Sequence, residues 1–278
     1  MFKILFKISR PRFWFYLAGP FLIGAAATNS LEIFKEPWFY ILFFYFLIFA
    51  NVYLYGINDY FDNDTDKYNL KKEGKKESRL DNINSRRILL FYILFFIILS
   101  NLILIFLPTI ESKLYLIIFL FLATFYSAPP LRFKKRRIID SLSNILYIIP
   151  ALVSFSLIAV DIKIDWFIIT SAWSWAFAMH LFSAIPDIEP DKKAKLKTTA
   201  ILFGQTNSLW LCFFFWLIFS LIIILKSYLI PLSFLFLIYP AIPLYLIIKK
   251  IPAEKIYWYF PYITSILGFF SFWYLIIF

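Results

Sequence analysis

The sequence is short of the residues that soluble and disulfide-stapled proteins depend on. It has one cysteine, Cys212, in 278 residues, so no internal disulfide can close and no cysteine cluster can form. Six glycines are too few and too scattered for a glycine-rich phosphate loop of the P-loop or dinucleotide type. Charge is scarce as well: Asp, Glu, Lys and Arg make up 16% of the chain, against about a quarter in a soluble domain. These shortages exclude an ordinary cytosolic enzyme, a disordered chain, a zinc-finger array and a disulfide scaffold. What is abundant is apolar surface, 62% of residues, the composition of a chain dissolved in lipid.

A helix needs roughly 20 apolar residues to cross the hydrocarbon core. Nine windows meet or approach this, at about 13–29, 37–57, 87–108, 113–127, 140–159, 165–185, 208–226, 229–248 and 256–277. The continuous apolar runs hide any 3.6-residue period, so helix follows from length and from the need to satisfy backbone groups inside lipid. The alternating ten-residue segments of a β-barrel are absent. The first window follows Lys3, Lys7, Arg10 and Arg12 and so imitates a signal peptide. Arg12 abuts Phe13 and Trp14, an interfacial anchor more than a processing site, and residue 1 is expected to stay in the mature chain.

Nine crossings place the N-terminus and the even-numbered connections on one side, and that side holds 24 of the 28 basic residues. The opposite side keeps Lys35, Lys113, Lys163 and Lys226. By the positive-inside rule the charged face is expected to be cytoplasmic and the C-terminus outside. The net charge of +11 then reports topology and attraction to anionic lipid headgroups. Nucleic acid is not an expected partner, because no soluble domain is left to build a groove.

Acids are the informative minority. Of 17, 12 lie on the basic side, and seven of those fall into two clusters. The first runs from Asn58 to Asp66, directly after the second window. In a continued helix Asn58, Asp62 and Asp66 stack at i, i+4 and i+8. Stacked oxygen donors at a helix C-terminus repel one another and oppose the macrodipole unless a cation sits among them, and hard oxygens suit Mg²⁺ or Ca²⁺. An EF-hand is a poor alternative, since Lys67 stands where its sharp-turn glycine belongs, although Glu73 fits its twelfth position.

The second cluster is Asp187-Ile188-Glu189-Pro190-Asp191, after the sixth window. Pro190 disfavours an uninterrupted helix, so either a kinked helix or a loop presents Asp187 and Asp191. Two acidic clusters beside many cations suit a polyphosphate, whose oxygens share Mg²⁺ with the carboxylates while Lys and Arg take the rest. Candidates for that grip are Lys67, Lys71, Lys72, Arg132, Lys134 and Lys192.

These residues resemble the UbiA superfamily of intramembrane prenyltransferases. Asn58, Asp59, Asp62 and Asp66 match its N-D-x-x-D-x-x-x-D motif, and Asp187 and Asp191 its D-x-x-x-D motif. Tyr126-Ser127-Ala128-Pro129-Pro130-Leu131-Arg132-Phe133-Lys134 occupies the place of the tyrosine-containing basic segment between them. Two stretches, Ser9 to Trp14 and Met179 to Glu189, look most like the lycopene elongase branch, which makes fifty-carbon carotenoids. The family often has a glycine and an arginine beyond the second motif; here Lys192, Lys193, Ala194 and Lys195 follow, and lysine lacks the bidentate fork of arginine.

The resemblance implies an all-α polytopic membrane protein, one domain over 1–278, with nine transmembrane helices around a central lipophilic cavity. Cytoplasmic motif loops are expected at about 58–86, 127–139 and 186–207. It implies transfer of an isoprenyl group, dimethylallyl or longer, from its diphosphate to a carotenoid such as lycopene. A quinone precursor, chlorophyllide or lipid-glycerol acceptor is the alternative.

The implied metal ligands are Asn58, Asp62, Asp66, Asp187 and Asp191, holding Mg²⁺, expected as two ions, with Asp62 and Asp187 central to catalysis. Lys67, Tyr126, Arg132, Lys134 and Lys192 are the implied diphosphate contacts, Tyr126 being equally an interfacial belt tyrosine. His180, the single histidine, lies seven residues before Asp187 and so on nearly the same helix face. It takes the proton released after coupling, hydrogen-bonds the acceptor, or is an interhelical histidine, and Asn51, seven before Asn58, has the same ambiguity. A divalent-cation transporter would need acids deep in the spans, and a non-catalytic carrier would leave both clusters without a purpose.

Overall fold

In the computed structural model, residues 2–62, 83–158, 163–227 and 231–277 are described, and among them the regular structure is helical. Seven helices are long and apolar enough to cross a membrane: Pro37–Phe61, Arg86–Phe106, Ile110–Ser127, Trp166–Lys193, Thr199–Lys226, Pro231–Lys249 and Phe260–Ile277. The other two windows hold shorter helical segments. Phe15–Ala26 has 12 residues, about 18 Å of rise against the roughly 30 Å of a bilayer core. Ile139–Phe155 is broken by a 3₁₀ stretch at Ser143–Tyr147. There Ser143 Oγ and Asn144 Nδ2 both donate to the Asp140 carbonyl, competing with the helical ladder in the way short polar side chains do. The helix content and the apolar spans make this an integral membrane protein of the predicted all-α class, with nine an approximate count of its helices.

The chain divides into two compact units, one made of residues 1–132, 149–162 and 268–278, the other of 133–148 and 163–267. In the first, Phe15–Ala26 packs closely on Ile149–Phe155, because the residues between them are small. A Cβ built on Gly24 would lie 2.0 Å from the Ala151 carbonyl oxygen. Beside it the Ser154 hydroxyl donates to the Phe21 carbonyl at 2.6 Å. Small residues and a hydroxyl crossing between backbones are how helices associate when lipid and side chain are equally apolar.

The helix that carries the first acidic motif has a π-helical turn, Tyr45–Phe49, between Pro37–Phe44 and Ala50–Phe61. Such a turn frees carbonyls from the regular ladder, and the Asn51 amide donates to two of them, Phe46 at 2.9 Å and Leu47 at 3.1 Å. Two hydroxyl pairs tie the same helix to its neighbours. Tyr45 meets Ser100 at 2.7 Å and Tyr53 meets Thr124 at 2.6 Å.

In the second unit Trp166–Ala184 packs on Thr199–Lys226 and that helix on Ile238–Lys249. Between them lie the rings of Trp175, Phe182, Trp216, Tyr239 and Phe260, with Trp216 and Phe260 stacked at 4.9 Å. Cys212 is buried. The long helix begins at Thr199, nine residues before its predicted window, where the Thr198 hydroxyl caps the Ile201 amide. It bends at Gly204, whose φ of 71° and ψ of 174° lie in a region left almost entirely to glycine. At its far end Lys226 donates to Asp165, and that bond holds the exposed carboxyl below its ordinary range.

Candidate active site

In the first unit the acidic motif sits where Ala50–Phe61 stops. Asp62 is the C-cap, its N–H donating to the Asn58 carbonyl at 3.0 Å. Asn58 and Asp62 therefore share the face predicted from their spacing, Asn58 half-buried and Asp62 fully buried. Asp66 and Lys67, with Lys71 and Lys72, lie outside the described residues, as does most of the predicted 58–86 loop.

Asp59, one position round the helix, points elsewhere. It is buried, and the Arg10 guanidinium donates to its Oδ1 at 3.0 Å while lying 4.6 Å from the centroid of the Tyr55 ring. An arginine that pairs with a carboxylate and stacks on an aromatic makes both of the contacts its planar group favours. The N-terminal arm is thus pinned to the motif helix.

Arg132 Nη2 donates to the Phe61 carbonyl at 3.0 Å and lies 3.6 Å from Asp62 Oδ1. Arg86 Nη2 reaches the Tyr60 carbonyl at 3.5 Å. The helix end, negative by its dipole and by its carboxylates, is therefore met by cations of the chain itself. The opposition to the macrodipole that the sequence assigns to a metal ion is partly answered by these arginines. Tyr126 is half-buried in the last turn of Ile110–Ser127.

In the second unit the alternative of a kinked helix holds. Trp166–Ala184 tightens into a 3₁₀ turn at Ile185–Asp187 and resumes as Ile188–Lys193. Pro190 falls in the first turn of that short helix, where its missing N–H has no intrahelical partner to lose. Asp187 and Asp191 are half-buried. Lys192 is exposed and donates to Glu189 at 2.7 Å, a surface pair of small energetic weight. Lys134 is half-buried in a 3₁₀ turn, Phe133–Lys135.

Asp140 went unnoticed in the sequence, where it opens an apolar window just after the basic run from Arg132 to Arg137. Its carboxylate is buried, accepts from the Thr199 amide at 2.9 Å and from the Thr199 hydroxyl, and lies 3.8 Å from His180 Nε2. An acid at the edge of a membrane segment is costly to keep there and is itself a signal. Arg10 is likewise invisible as a partner of Asp59, being 49 positions away. Among the described residues no three His, Cys, Asp or Glu side chains gather closely enough to hold a metal ion.

Comparison with known proteins agrees over nearly the whole chain. The sequence profile described as the UbiA prenyltransferase family matches residues 13–260. A lycopene elongase/hydratase of Halobacterium salinarum is 40% identical over 270 residues, 96% of this chain and 95% of that protein. One from Haloarcula japonica is 36% identical over 266 residues, 95% of this chain and 88% of its own length. A solved structure of a UbiA homolog from Archaeoglobus fulgidus bound to DMAPP and Mg²⁺ superposes with a TM-score of 0.69 at 19% identity, covering 98% of both chains.

Proposed function

The chain belongs to the UbiA prenyltransferase family and is a prenyltransferase; on that premise we propose that it transfers an isoprenyl group from a prenyl diphosphate to a carotenoid such as lycopene. The observation that carries the acceptor is the 40% identity to a lycopene elongase/hydratase across almost the full length of both proteins. The donor and Mg²⁺ are supported by the DMAPP- and Mg²⁺-bound homolog of the same fold and by the donor chemistry here. Asn58, Asp62, Asp66, Asp187 and Asp191 offer hard oxygen, which fits Mg²⁺ and not a soft metal. Bound there, expected as two ions, Mg²⁺ would neutralise charge on the diphosphate.

The side chains supply the rest. Arg132, which donates to the Phe61 carbonyl beside Asp62, would hold phosphate oxygens through charge-assisted bonds, with Lys134, Lys67, Lys192 and the Tyr126 hydroxyl as further contacts. The carbon–oxygen bond of the donor breaks, its electron pair leaving with the diphosphate. The terminal double bond of the acceptor attacks the allylic cation, forming the new carbon–carbon bond. Apolar and aromatic walls keep water from intercepting that cation. The cation left on the product then gives up a proton or takes water, with His180 and Asn51, each seven residues before its motif, as the proposed polar contacts.

The two units serve one catalytic domain over 1–278, set in the cell membrane with the basic loops in the cytoplasm and the C-terminus outside. The test is incubation of membranes holding the protein with dimethylallyl diphosphate and lycopene, followed by mass analysis of the pigments. Added five-carbon units are expected. Their absence, with prenylation of a quinone precursor, chlorophyllide or glycerol lipid in parallel incubations, would move the acceptor to one of those classes.

A further inference from the structure

We propose that Asp140 is a positioning residue that orients the His180 imidazole and stabilises it as it takes up the proton released after coupling. The inference rests on the prenyl-transfer reading above for the origin of that proton, and on the geometry of the second unit for the pair.

Asp140 is 1% exposed. A carboxylate so buried is retained only with hydrogen bonds and a charge partner. The hydrogen bonds come from one residue, Thr199, whose amide and hydroxyl both reach it. The ionisable partner is His180, with Nε2 at 3.8 Å from Oδ2, and no lysine or arginine among the described residues stands at ion-pair distance from Asp140. The single histidine of the chain is therefore set against a buried acid.

Asp140 is also held rigidly. Thr199 opens the helix that follows the second motif, its hydroxyl accepts from the Ile138 amide at 2.8 Å, and the Asn144 amide donates to the Asp140 carbonyl. An acid fixed in this way can dictate the orientation and tautomer of a neighbouring imidazole, as in carboxylate–histidine pairs generally. At 3.8 Å the contact is longer than a hydrogen bond, and catalytic contacts of this kind commonly close only when substrate is bound. Along the helix, His180 precedes Asp187 by seven residues, about 10 Å of rise. The 3₁₀ turn at Ile185–Asp187 adds only some 20° per residue to the α-helical rotation, so both remain within ~40° of one face.

The proton balance is simple for either fate of the product cation. A carbon–hydrogen bond next to the cation breaks, its electrons form a double bond and the proton passes to the ring. Alternatively water adds to the cation, its oxygen lone pair forms the carbon–oxygen bond, and the proton shed by that oxygen passes to the ring. With Nε2–H directed at Asp140, the imidazolium that forms is paired with the carboxylate.

Having one histidine makes the test clean. Full-length protein labelled with ¹⁵N-histidine and purified through a histidine-free tag is expected to show the neutral ring as the Nε2–H tautomer. In Asp140→Asn, which keeps an oxygen acceptor for Thr199 while removing the charge, that resonance pattern should move. A wild-type Nδ1–H tautomer, or identical spectra in the two proteins, overturns the proposal whatever the acceptor proves to be. In turnover, His180→Gln and Asp140→Asn should each lower kcat for elongated pigment by about tenfold to a hundredfold, with KM for the prenyl diphosphate within about twofold. The double variant should be no slower than His180→Gln. Multiplying effects, or wild-type kcat in Asp140→Asn, also overturn it. If the wild type consumes the diphosphate yet elongates no carotenoid, the acceptor assignment fails separately, and the spectra still decide the pair.

Discussion

Gly24 and Arg10 are two residues whose roles depend on a close neighbour far away in sequence. At Gly24 an added methyl group would enter the Ala151 carbonyl and come within 2.5 Å of Ser154 Oγ. Both contacts belong to backbone or to a hydroxyl already committed, so neither can yield cheaply. Gly24→Ala is expected to destabilise the protein by roughly 1–3 kcal/mol, read as a lowered unfolding temperature in detergent; an unchanged temperature would show that the two helices can part without loss. Arg10→Ala leaves the Asp59 carboxylate buried without its guanidinium. Removing one partner of a fully buried pair costs roughly 3–5 kcal/mol. Because the Arg10 side chain is 17% exposed, a loss at or below the bottom of that range is expected. Adding Asp59→Asn should recover most of it, which a double-mutant cycle on the same unfolding measurement would test.

At the scale of single elements, helix direction is settled by local chemistry that is only partly legible in the residues. The bend in Thr199–Lys226 follows from Gly204, and Gly204→Ala forces a side chain into a backbone region that costs it roughly 1–3 kcal/mol. The expected outcome is a lower unfolding temperature with little change in the active-site motifs. The helix Ile83–Phe106 shows why no helical period could be found. Among its described side chains the buried ones are Leu89, Ile93, Phe96, Ser100 and Ile103, spaced four, three, four and three, while Phe91, Leu94, Ile98, Leu102 and Ile105 are exposed. Both faces are apolar, one meeting protein and the other lipid, so hydropathy carries no contrast between them. The π-turn before Ala50 has no signature in composition either. It is marked by Asn51, whose amide answers the displaced carbonyls.

At the scale of the whole molecule, the proposed reaction requires both acidic motifs to act on one diphosphate. Asp62→Asn and Asp187→Asn should each reduce prenyl transfer by at least a hundredfold, and the double variant should fall no further, as groups acting as one unit do. Independent, multiplying losses would mean that the motifs serve separate steps. Removal of divalent ions by a chelator should abolish turnover and added Mg²⁺ restore it; turnover that persists in chelator would remove the metal from the reading. Unfolding temperatures near wild type in both variants would separate lost chemistry from lost fold.

The class of fold, the apolar spans and the two acidic motifs were already present in the sequence. Apolar length sets whether a segment enters lipid, and i, i+4 spacing sets which oxygens share a helix face, whatever surrounds them. Membership of the prenyltransferase family is legible for the same reason, since its motifs are local. Tertiary structure alone decided that Asp59 belongs to Arg10 and that Asp140 lies against His180 and Thr199. It also decided that two apolar windows hold short or broken helices. Those outcomes depend on which distant side chain satisfies a buried charge or a freed carbonyl, and that partner is chosen by packing in three dimensions and not by neighbours along the chain.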